Sequence, residues 1–203
     1  MKKKIIILSA VLFVSLACFP LPPQQKSYAL DTEADINKII SSAQQGDAEA
    51  QYNLGVMYAQ GLGVTQNYAE AVKWYRKAAE QGYAAAQFNL GGMYHQGQGV
   101  PQEAMPDGEW DYSEAMKWYR KAAEQGHANA QSNLGLMYAQ GQGVTQDYAE
   151  AYFWFNLAVA SGYEGARSGR DIIAKKLSQN ALMDAQKRAR EWTPKTAEET
   201  VAD

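Results

Sequence analysis

The stretch Gly46-Asp47-Ala48-Glu49-Ala50-Gln51-Tyr52-Asn53-Leu54-Gly55 decides the fold, because the chain repeats it. Close copies run from Gly82 to Gly91 and from Gly126 to Gly135, and a degraded fourth start lies at Gly162. The starts are 36, 44 and 36 residues apart, and the long step contains an eight-residue insert, Glu103–Trp110. A fixed period of this size is typical of a stacked repeat array rather than of a fold with one central pocket.

The first half of each repeat has the pattern of an amphipathic helix followed by a glycine stop. Ala50, Leu54, Met57 and Tyr58 fall on one face of a helix. Gly61 follows, and glycine readily adopts the left-handed conformation that ends a helix. We therefore predict a helix that stops at Gly61 and a seven-residue turn before the next helix.

The second half of each repeat begins with a capping box, in which a side chain caps the helix and a glutamate bonds back to it. The three copies are Asn67-x-x-Glu70, Asp111-x-x-Glu114 and Asp147-x-x-Glu150. An apolar helical face follows, and in the first copy it consists of Ala71, Trp74, Tyr75, Ala78 and Ala79. Each repeat is thus predicted to be a helical hairpin.

Small residues recur as strictly as large ones. Gly55 returns as Gly91 and Gly135 in the middle of the first helix. Since glycine inside a helix costs about 1 kcal/mol relative to alanine, its repetition predicts close helix packing at these points.

The pattern Leu54-Gly55-x-x-Tyr58, followed by Ala71-x-x-x-Tyr75 and Ala78, resembles the tetratricopeptide repeat, with Gln51 in place of the usual Trp. The 36-residue period and the Gly-x-Gly-Val turn look like the Sel-one-like repeat (SLR) family, a variant of that pattern. The resemblance covers residues 46–161 with three near-exact copies, and degenerate flanks extend it to about 32–192. It implies an all-α, right-handed α/α solenoid. Members of the family are mostly scaffolds and adaptors that bind proteins, and they are often bacterial and exported.

The repeats divide the chain into seven segments. They are a signal peptide at 1–29, an N-terminal capping helix at 30–45, repeats at 46–81, 82–125 (with the insert 103–110) and 126–161, a degenerate repeat with a C-terminal cap at 162–193, and a disordered tail at 194–203. Counting the leading helix, this division predicts roughly nine helices.

The beginning of the chain reads as a secretory signal. Lys2, Lys3 and Lys4 precede an apolar run at Ile5–Phe19, which is short for a membrane span. Ser27-Tyr28-Ala29 offers the small residues that a leader peptidase reads, so cleavage is predicted after Ala29. We expect an exported protein, periplasmic or secreted, without a membrane span after cleavage.

Cys18 leaves a second processing route open. Leu16-Ala17-Cys18 loosely resembles a lipoprotein box, which would place a lipid anchor on Cys18. Cleavage after Ala29 accounts better for the residues that follow, and it removes the single cysteine of the chain. The resulting protein would have neither a disulfide nor a thiol nucleophile.

The charge balance argues against nucleic-acid partners. Four of the 19 basic residues and none of the 22 acidic residues lie in residues 1–29, so the remainder carries 15 basic and 22 acidic residues, a net charge of −7. A negative surface opposes binding to phosphate backbones and to anionic lipid.

Motifs of catalysis and of metal or cofactor binding are absent from the sequence. It has no G-x-S-x-G, P-loop or S-x-x-K pattern. The two histidines, His95 and His127, fall on different predicted helices, so no metal site is predicted. The alternative function is a cell-wall peptide or β-lactam hydrolase or binding protein, because some exported SLR proteins have been linked to such activity. Those relatives are rich in cysteine, and the repeats here have none.

The resemblance places a partner on the concave face, which the first helices line in tetratricopeptide-like stacks. Tyr52 and Phe88 are natural aromatic anchors for a peptide, unless they only pack against the neighbouring repeat. The other candidate positions on these helices are Asn53, Val56, Gln60, Asn89, His95, Gln96, Ser132, Asn133, Leu136 and Gln140.

Two features of this face have alternative interpretations. Asn53, Asn89 and Asn133 form an invariant ladder that either clamps a bound peptide or fixes the register of adjacent repeats. The insert 103–110 is either a neutral loop or an acidic lip on which Met105 and Trp110 contact the partner.

Overall fold

The computed structural model describes residues 33–100 and 112–202. Within them the chain forms α-helices joined by turns, with a short 3-10 turn at Glu164–Ala166. The helices are α1 (Glu33–Gln44), α2 (Ala48–Gln60), α3 (Tyr68–Glu80), α4 (Ala84–Gln96), α5 (Tyr112–Glu124), α6 (Ala128–Gln140), α7 (Tyr148–Ala160), α8 (Arg167–Ala174), α9 (Gln179–Glu191) and α10 (Ala197–Ala202).

The predicted helix boundaries are confirmed in the first repeat. Gly61 ends α2 in the left-handed conformation, with φ of 71°. The Asn67 side chain caps α3 by accepting a hydrogen bond from the backbone N–H of Glu70 at 3.1 Å. Asp147 caps α7 in the same way. The glutamate half of the predicted capping box is wrong at both caps, because the backbone N–H groups of Asn67 and Asp147 donate to the carbonyl oxygens of Tyr58 and Tyr138 instead. Asp111 lies outside the described residues.

The helices α1 to α8 stack in chain order, and α7 also packs against α9. Leu54 belongs to a small apolar cluster with Ala43, where the isoleucines of α1 cover the first repeat. Leu90 and Leu134 belong to a second, longer cluster that continues to α9. Because the repeated leucines do not meet at one shared centre, the molecule is an array of hairpins rather than a closed bundle.

The repeated glycines let the two helices of each hairpin approach closely, as the sequence predicts. A Cβ atom added to Gly55 would lie 2.6 Å from the Tyr75 ring, and one added to Gly91 would lie 2.7 Å from the Tyr119 ring. These are closer than real Cβ contacts, so an aromatic ring of the second helix rests directly on the glycine of the first.

The last segment of the chain differs from the prediction. Residues 194–203 were expected to be a disordered tail, but Ala197–Ala202 form α10, and Thr200 is fully buried. The backbone N–H of Lys195 donates to the carbonyl oxygen of Glu124 at 2.8 Å, which ties this segment to the end of α5. The described residues therefore contain ten helices rather than the predicted nine. The additional helix, α10, has no apolar stripe of its own, and contacts with a distant part of the chain order it.

No helix in the described parts of the chain has the length and apolarity that a membrane crossing requires.

Candidate functional site

Four rings form two pairs at the two junctions between the three repeats. We call them the aromatic row: Tyr52, Tyr83, Phe88 and His127. The rings of Tyr52 and Tyr83 are 5.2 Å apart, and those of Phe88 and His127 stack at 4.7 Å. All four side chains are half-buried, so each keeps part of its surface exposed.

The repeat architecture explains the pairing of these rings. Tyr52 and Phe88 occupy equivalent positions in α2 and α4, and Tyr83 and His127 are the N-cap residues of the next first helix, α4 and α6. Each pair therefore spans a junction between repeats. Tyr52 and Phe88 were predicted from the sequence, whereas Tyr83 and His127 were not. The available sequence signal for these two residues was their position directly after the glycine that joins successive repeats, because the residue there differs from copy to copy.

Two buried tyrosines of the second helices form the floor of the row. Tyr75 lies 5.9 Å from Tyr52, and Tyr119 lies 5.7 Å from Phe88, between ring centroids. Burial raises the pKa of Tyr75 well above its usual value, and burial raises the pKa of Tyr119 to about 12. Both phenols are therefore neutral at physiological pH and serve as packing surfaces rather than as acids or bases.

The asparagine ladder contacts this floor. The Asn89 side chain hydrogen-bonds the Tyr75 hydroxyl of the preceding repeat, and Asn133 hydrogen-bonds Tyr119 in the same way. Each bond joins a first helix to the second helix before it. This geometry supports a register role for these two amides, while Asn53 is half-buried at the start of the array.

His127 has two roles at the row. Its Nδ1 accepts a hydrogen bond from the backbone N–H of Ala130 at 3.3 Å, so the ring caps α6 and carries its proton on Nε2. Burial lowers the pKa of His127 to about 4, with a smaller opposing effect from a backbone hydrogen bond. At neutral pH the row therefore ends in an uncharged imidazole.

A second polar ladder, which the sequence analysis did not identify, runs beneath the row. Gln51, Gln87 and Gln131 are buried, and each Nε2 donates to a carbonyl oxygen near the end of the preceding second helix, at 3.1–3.2 Å. Their Oε1 atoms accept from Gln81, Gln125 and Ser161, respectively. An invariant glutamine on the buried side of a helix was the available signal, because a buried amide needs fixed partners.

The remaining predicted residues spread along the same first helices. Leu136 is 43% exposed on α6, whereas Val56 and Ser132 are half-buried. His95 packs 5.2 Å from Tyr112. The exposed amides at the helix ends are Gln60, Gln96 and Gln140. Met105 and Trp110 lie outside the described residues.

A cavity of about 530 Å³ lies elsewhere, on the outer face of α3. Glu70, Lys73, Trp74 and Lys77 line it, with Lys73 paired to Glu70 at 2.6 Å and the Lys77 ammonium 4.1 Å from the centre of the Trp74 ring. These contacts are typical of a solvated helix face. Across residues 33–100 and 112–202, no three His, Cys, Asp or Glu side chains gather as a metal site would require.

The chain is similar to curated proteins over a short stretch. It is 39% identical over 49 residues to the DAP3-binding cell death enhancer 1 of Rattus norvegicus and 37% identical over 49 residues to that of Mus musculus. Each match covers 24% of this chain and 10% of the relative. The chain thus aligns with about a tenth of these proteins.

Two solved structures share the fold over most of this chain. A Sel1 repeat protein from Oxalobacter formigenes matches with a TM-score of 0.65 and 36% identity, over 75% of this chain and 58% of that one. A protective antigen of uropathogenic Escherichia coli strains, which displays an SLR fold, matches with a TM-score of 0.69 and 40% identity, over 82% of this chain and 34% of that one. The array is thus the right-handed solenoid of helical hairpins that the sequence predicts.

The repeats themselves identify the family. The Sel1 repeat profile matches residues 48–83, 84–127 and 128–163, which together make up more than half of the chain. The middle match is eight residues longer than the other two, as the insert requires. This chain belongs to the Sel1 repeat family.

Proposed function

We propose that this protein is an exported, non-catalytic scaffold that binds a protein or peptide through the face formed by its first helices, the concave face of the solenoid. Sel1 repeats are protein-interaction modules. The aromatic row is the observation that supports the face of the first helices as the binding surface. Four half-buried rings lie over a buried tyrosine floor, as in the aromatic hot spots of protein interfaces.

The chemistry of the face suits a peptide ligand. Rings that are packed on one side lose little side-chain entropy on binding, and they offer apolar area to a partner. The neighbouring exposed amides, Gln60, Gln96 and Gln140, can donate to and accept from a peptide backbone. Leu136 adds an exposed apolar contact in the third repeat.

The relatives and the start of the chain add indirect support. The curated relatives are named for binding another protein, DAP3, and the similarity to them is confined to 49 residues. Export rests on the signal-like features of residues 1–29, namely the lysines, the apolar run and the small residues before the proposed cut at Ala29.

Affinity capture from envelope extract tests the proposed surface. We expect Tyr52→Ala/Phe88→Ala to lose a specific partner that the wild-type protein retains, because both anchors are truncated. Leu136→Glu is a second variant on the same face; it removes an exposed apolar contact and leaves the core unchanged. The matched control is Lys73→Ala/Lys117→Ala on the second helices, where both side chains are more than half exposed.

Two results would contradict the proposal. Equal recovery of every specific partner by the folded aromatic-row variants and the control would exclude this surface. Turnover of nitrocefin by the purified protein above background would contradict the non-catalytic assignment and favour the β-lactam alternative.

A further inference from the structure

The segment Pro194–Ala202 lies against the junctions between repeats, with Thr200 buried and its other residues exposed. We define the junction groove by four residues, Gly82, Lys121, Glu124 and Gly126. The backbone N–H of Lys195 donates to the carbonyl oxygen of Glu124 at 2.8 Å, and the Lys195 ammonium lies 3.1 Å from the carboxylate of the same residue. The Lys121 ammonium donates to the carbonyl oxygen of Thr200 at 2.5 Å. The groove thus holds the segment through both its backbone and its charge.

These contacts satisfy groups that helix ends leave unpaired. Glu124 is the last residue of α5, and Thr200 lies near the end of α10; the carbonyl oxygens in such positions have no partner within their own helix. A lysine near a helix C-terminus also interacts favourably with the helix dipole. The junction groove therefore holds the short helix by one of its C-terminal carbonyls, that of Thr200, and holds Lys195, which precedes the helix, through the carbonyl of Glu124.

The segment packs closely against the junction at Gly82. A Cβ atom added to Gly82 would lie 2.8 Å from the Cβ of Ala197 and 2.9 Å from its carbonyl oxygen. The occupant is therefore in close contact with the junction at this point. A side chain at position 82 would therefore collide with Ala197, so this contact requires glycine at the junction.

The segment has its own preorganising motif. The Glu199 carboxylate accepts from the backbone N–H of Thr196 at 2.7 Å, and the Thr196 hydroxyl accepts from the backbone N–H of Glu199 at 3.3 Å. This is a complete capping box. The bound sequence can be written Lys-Thr-Ala-x-Glu-Thr, in which the last residue is Thr200, fully buried.

The same segment is poorly anchored as a part of the fold. Its helix has six residues, Thr200 is the one buried residue that it contributes, and Val201 is 48% exposed. Residues 192–196 connect it to α9 without regular structure. Short helices with few buried apolar contacts belong to the least stable parts of a protein, so this segment can leave the groove without disturbing the repeats.

We propose that the junction groove is a second peptide-binding site, which residues 194–202 fill in cis. In trans it accepts protein segments of the same chemistry, a lysine followed by a capped short helix with alanine at its first position and threonine at its fourth. This inference does not depend on the aromatic row.

Competition between the cis segment and a trans peptide tests the proposal. The probe is a fluorescent peptide with the sequence of residues 192–202, titrated by anisotropy against the full-length wild type and against Ala197→Arg, which displaces the cis segment from Gly82. We expect the variant to bind the peptide at least ten-fold more tightly than the wild type. Adding Lys121→Met to the variant should weaken binding at least ten-fold, and a peptide with the same Ala197→Arg change should not bind.

The titration needs a check that each variant folds and a second variant that frees the groove. Thermal melting followed by circular dichroism verifies that each variant folds. If Ala197→Arg does not fold, Thr196→Ala/Glu199→Ala frees the groove by removing the capping box alone. Equal affinity of the wild type and the freed variant, no binding to the freed variant, or indifference to Lys121→Met would overturn the proposal. Tyr52→Ala/Phe88→Ala should leave peptide binding unchanged, so a failure of the aromatic row is distinguishable from a failure of the groove.

Discussion

Gly91 and Gly92 are neighbours in α4 with opposite surroundings. A Cβ atom on Gly91 would lie 2.7 Å from the ring of Tyr119, which is buried, whereas one on Gly92 would meet only the Tyr119 hydroxyl oxygen at 3.6 Å. Overpacking of this kind costs about 1–3 kcal/mol. Replacing an unconstrained helical glycine with alanine gains about 1 kcal/mol.

We therefore expect Gly91→Ala to lower the free energy of unfolding by about 1–3 kcal/mol and Gly92→Ala to raise it by up to about 1 kcal/mol. Urea denaturation of both variants measures the difference. Equal effects of the two substitutions would show that the glycine is not required for helix packing.

At this scale the sequence revealed the packing residues better than the polar ones. The glycine repeat and the caps at Asn67 and Asp147 could be predicted because each is a local pattern with one physical cause. The partners of the glutamine ladder could not be predicted, because Gln51 hydrogen-bonds Ala43 and Gln81, which lie at the ends of two different helices. Only the packed repeats bring these groups together.

At the scale of a single helix, the cap of α6 makes stability depend on pH. His127 has a pKa of about 4 in the folded protein against an ordinary value of 6.5. Between these values the unfolded chain binds a proton that the folded chain does not, so stability decreases as the pH falls from about 6.5 to about 4. Protonation of Nδ1 also removes the acceptor that caps the helix.

His127→Asn should remove this dependence. Asparagine keeps an N-cap acceptor but does not titrate, so we expect the variant to lose about 1–2 kcal/mol less than the wild type between pH 7 and pH 5. The variant also loses the ring stack between positions 127 and 88, which lowers its stability equally at both pH values. This loss therefore does not change the comparison between pH 7 and pH 5. Parallel urea titrations at the two pH values give the comparison, and identical losses would refute the assignment.

The helix α10 could not be predicted from its own residues alone. Its capping box, Thr196-x-x-Glu199, is as explicit as the one at Asn67. However, the segment has no apolar stripe, and its order depends on Lys121, which is 79 residues away in sequence from Thr200. The local capping box did not suffice to predict this helix, because the contact with Lys121 that holds it is long-range.

For the whole molecule, three kinds of tie fix the register of successive repeats. They are the glutamine ladder, the asparagine–tyrosine bonds, and hydrogen bonds from Arg76 to Tyr94 and from Arg120 to Tyr138. Each tie joins neighbouring hairpins, as expected for a stack in which every repeat contacts only its neighbours. The stack holds the two ring pairs of the aromatic row at successive junctions, and none of the four rings belongs to a catalytic motif.

The array and its repeats were predictable because a period of 36 residues can be read directly from the chain. The binding face was predictable only in part. Tyr52 and Phe88 vary at equivalent positions, but their partner rings, Tyr83 and His127, belong to the next repeat. Stacking of the repeats pairs them.

Site-specific photocrosslinking in the intact protein tests the central claim, that the first-helix face holds a protein partner. A benzoylphenylalanine at position 88 is compared with one at position 117, on the outer face of α5, where Lys117 is 55% exposed. We predict a specific protein adduct from position 88 that disappears with Tyr52→Ala, and no such adduct from position 117. Adducts of equal yield from both positions, or none from position 88, would contradict the account.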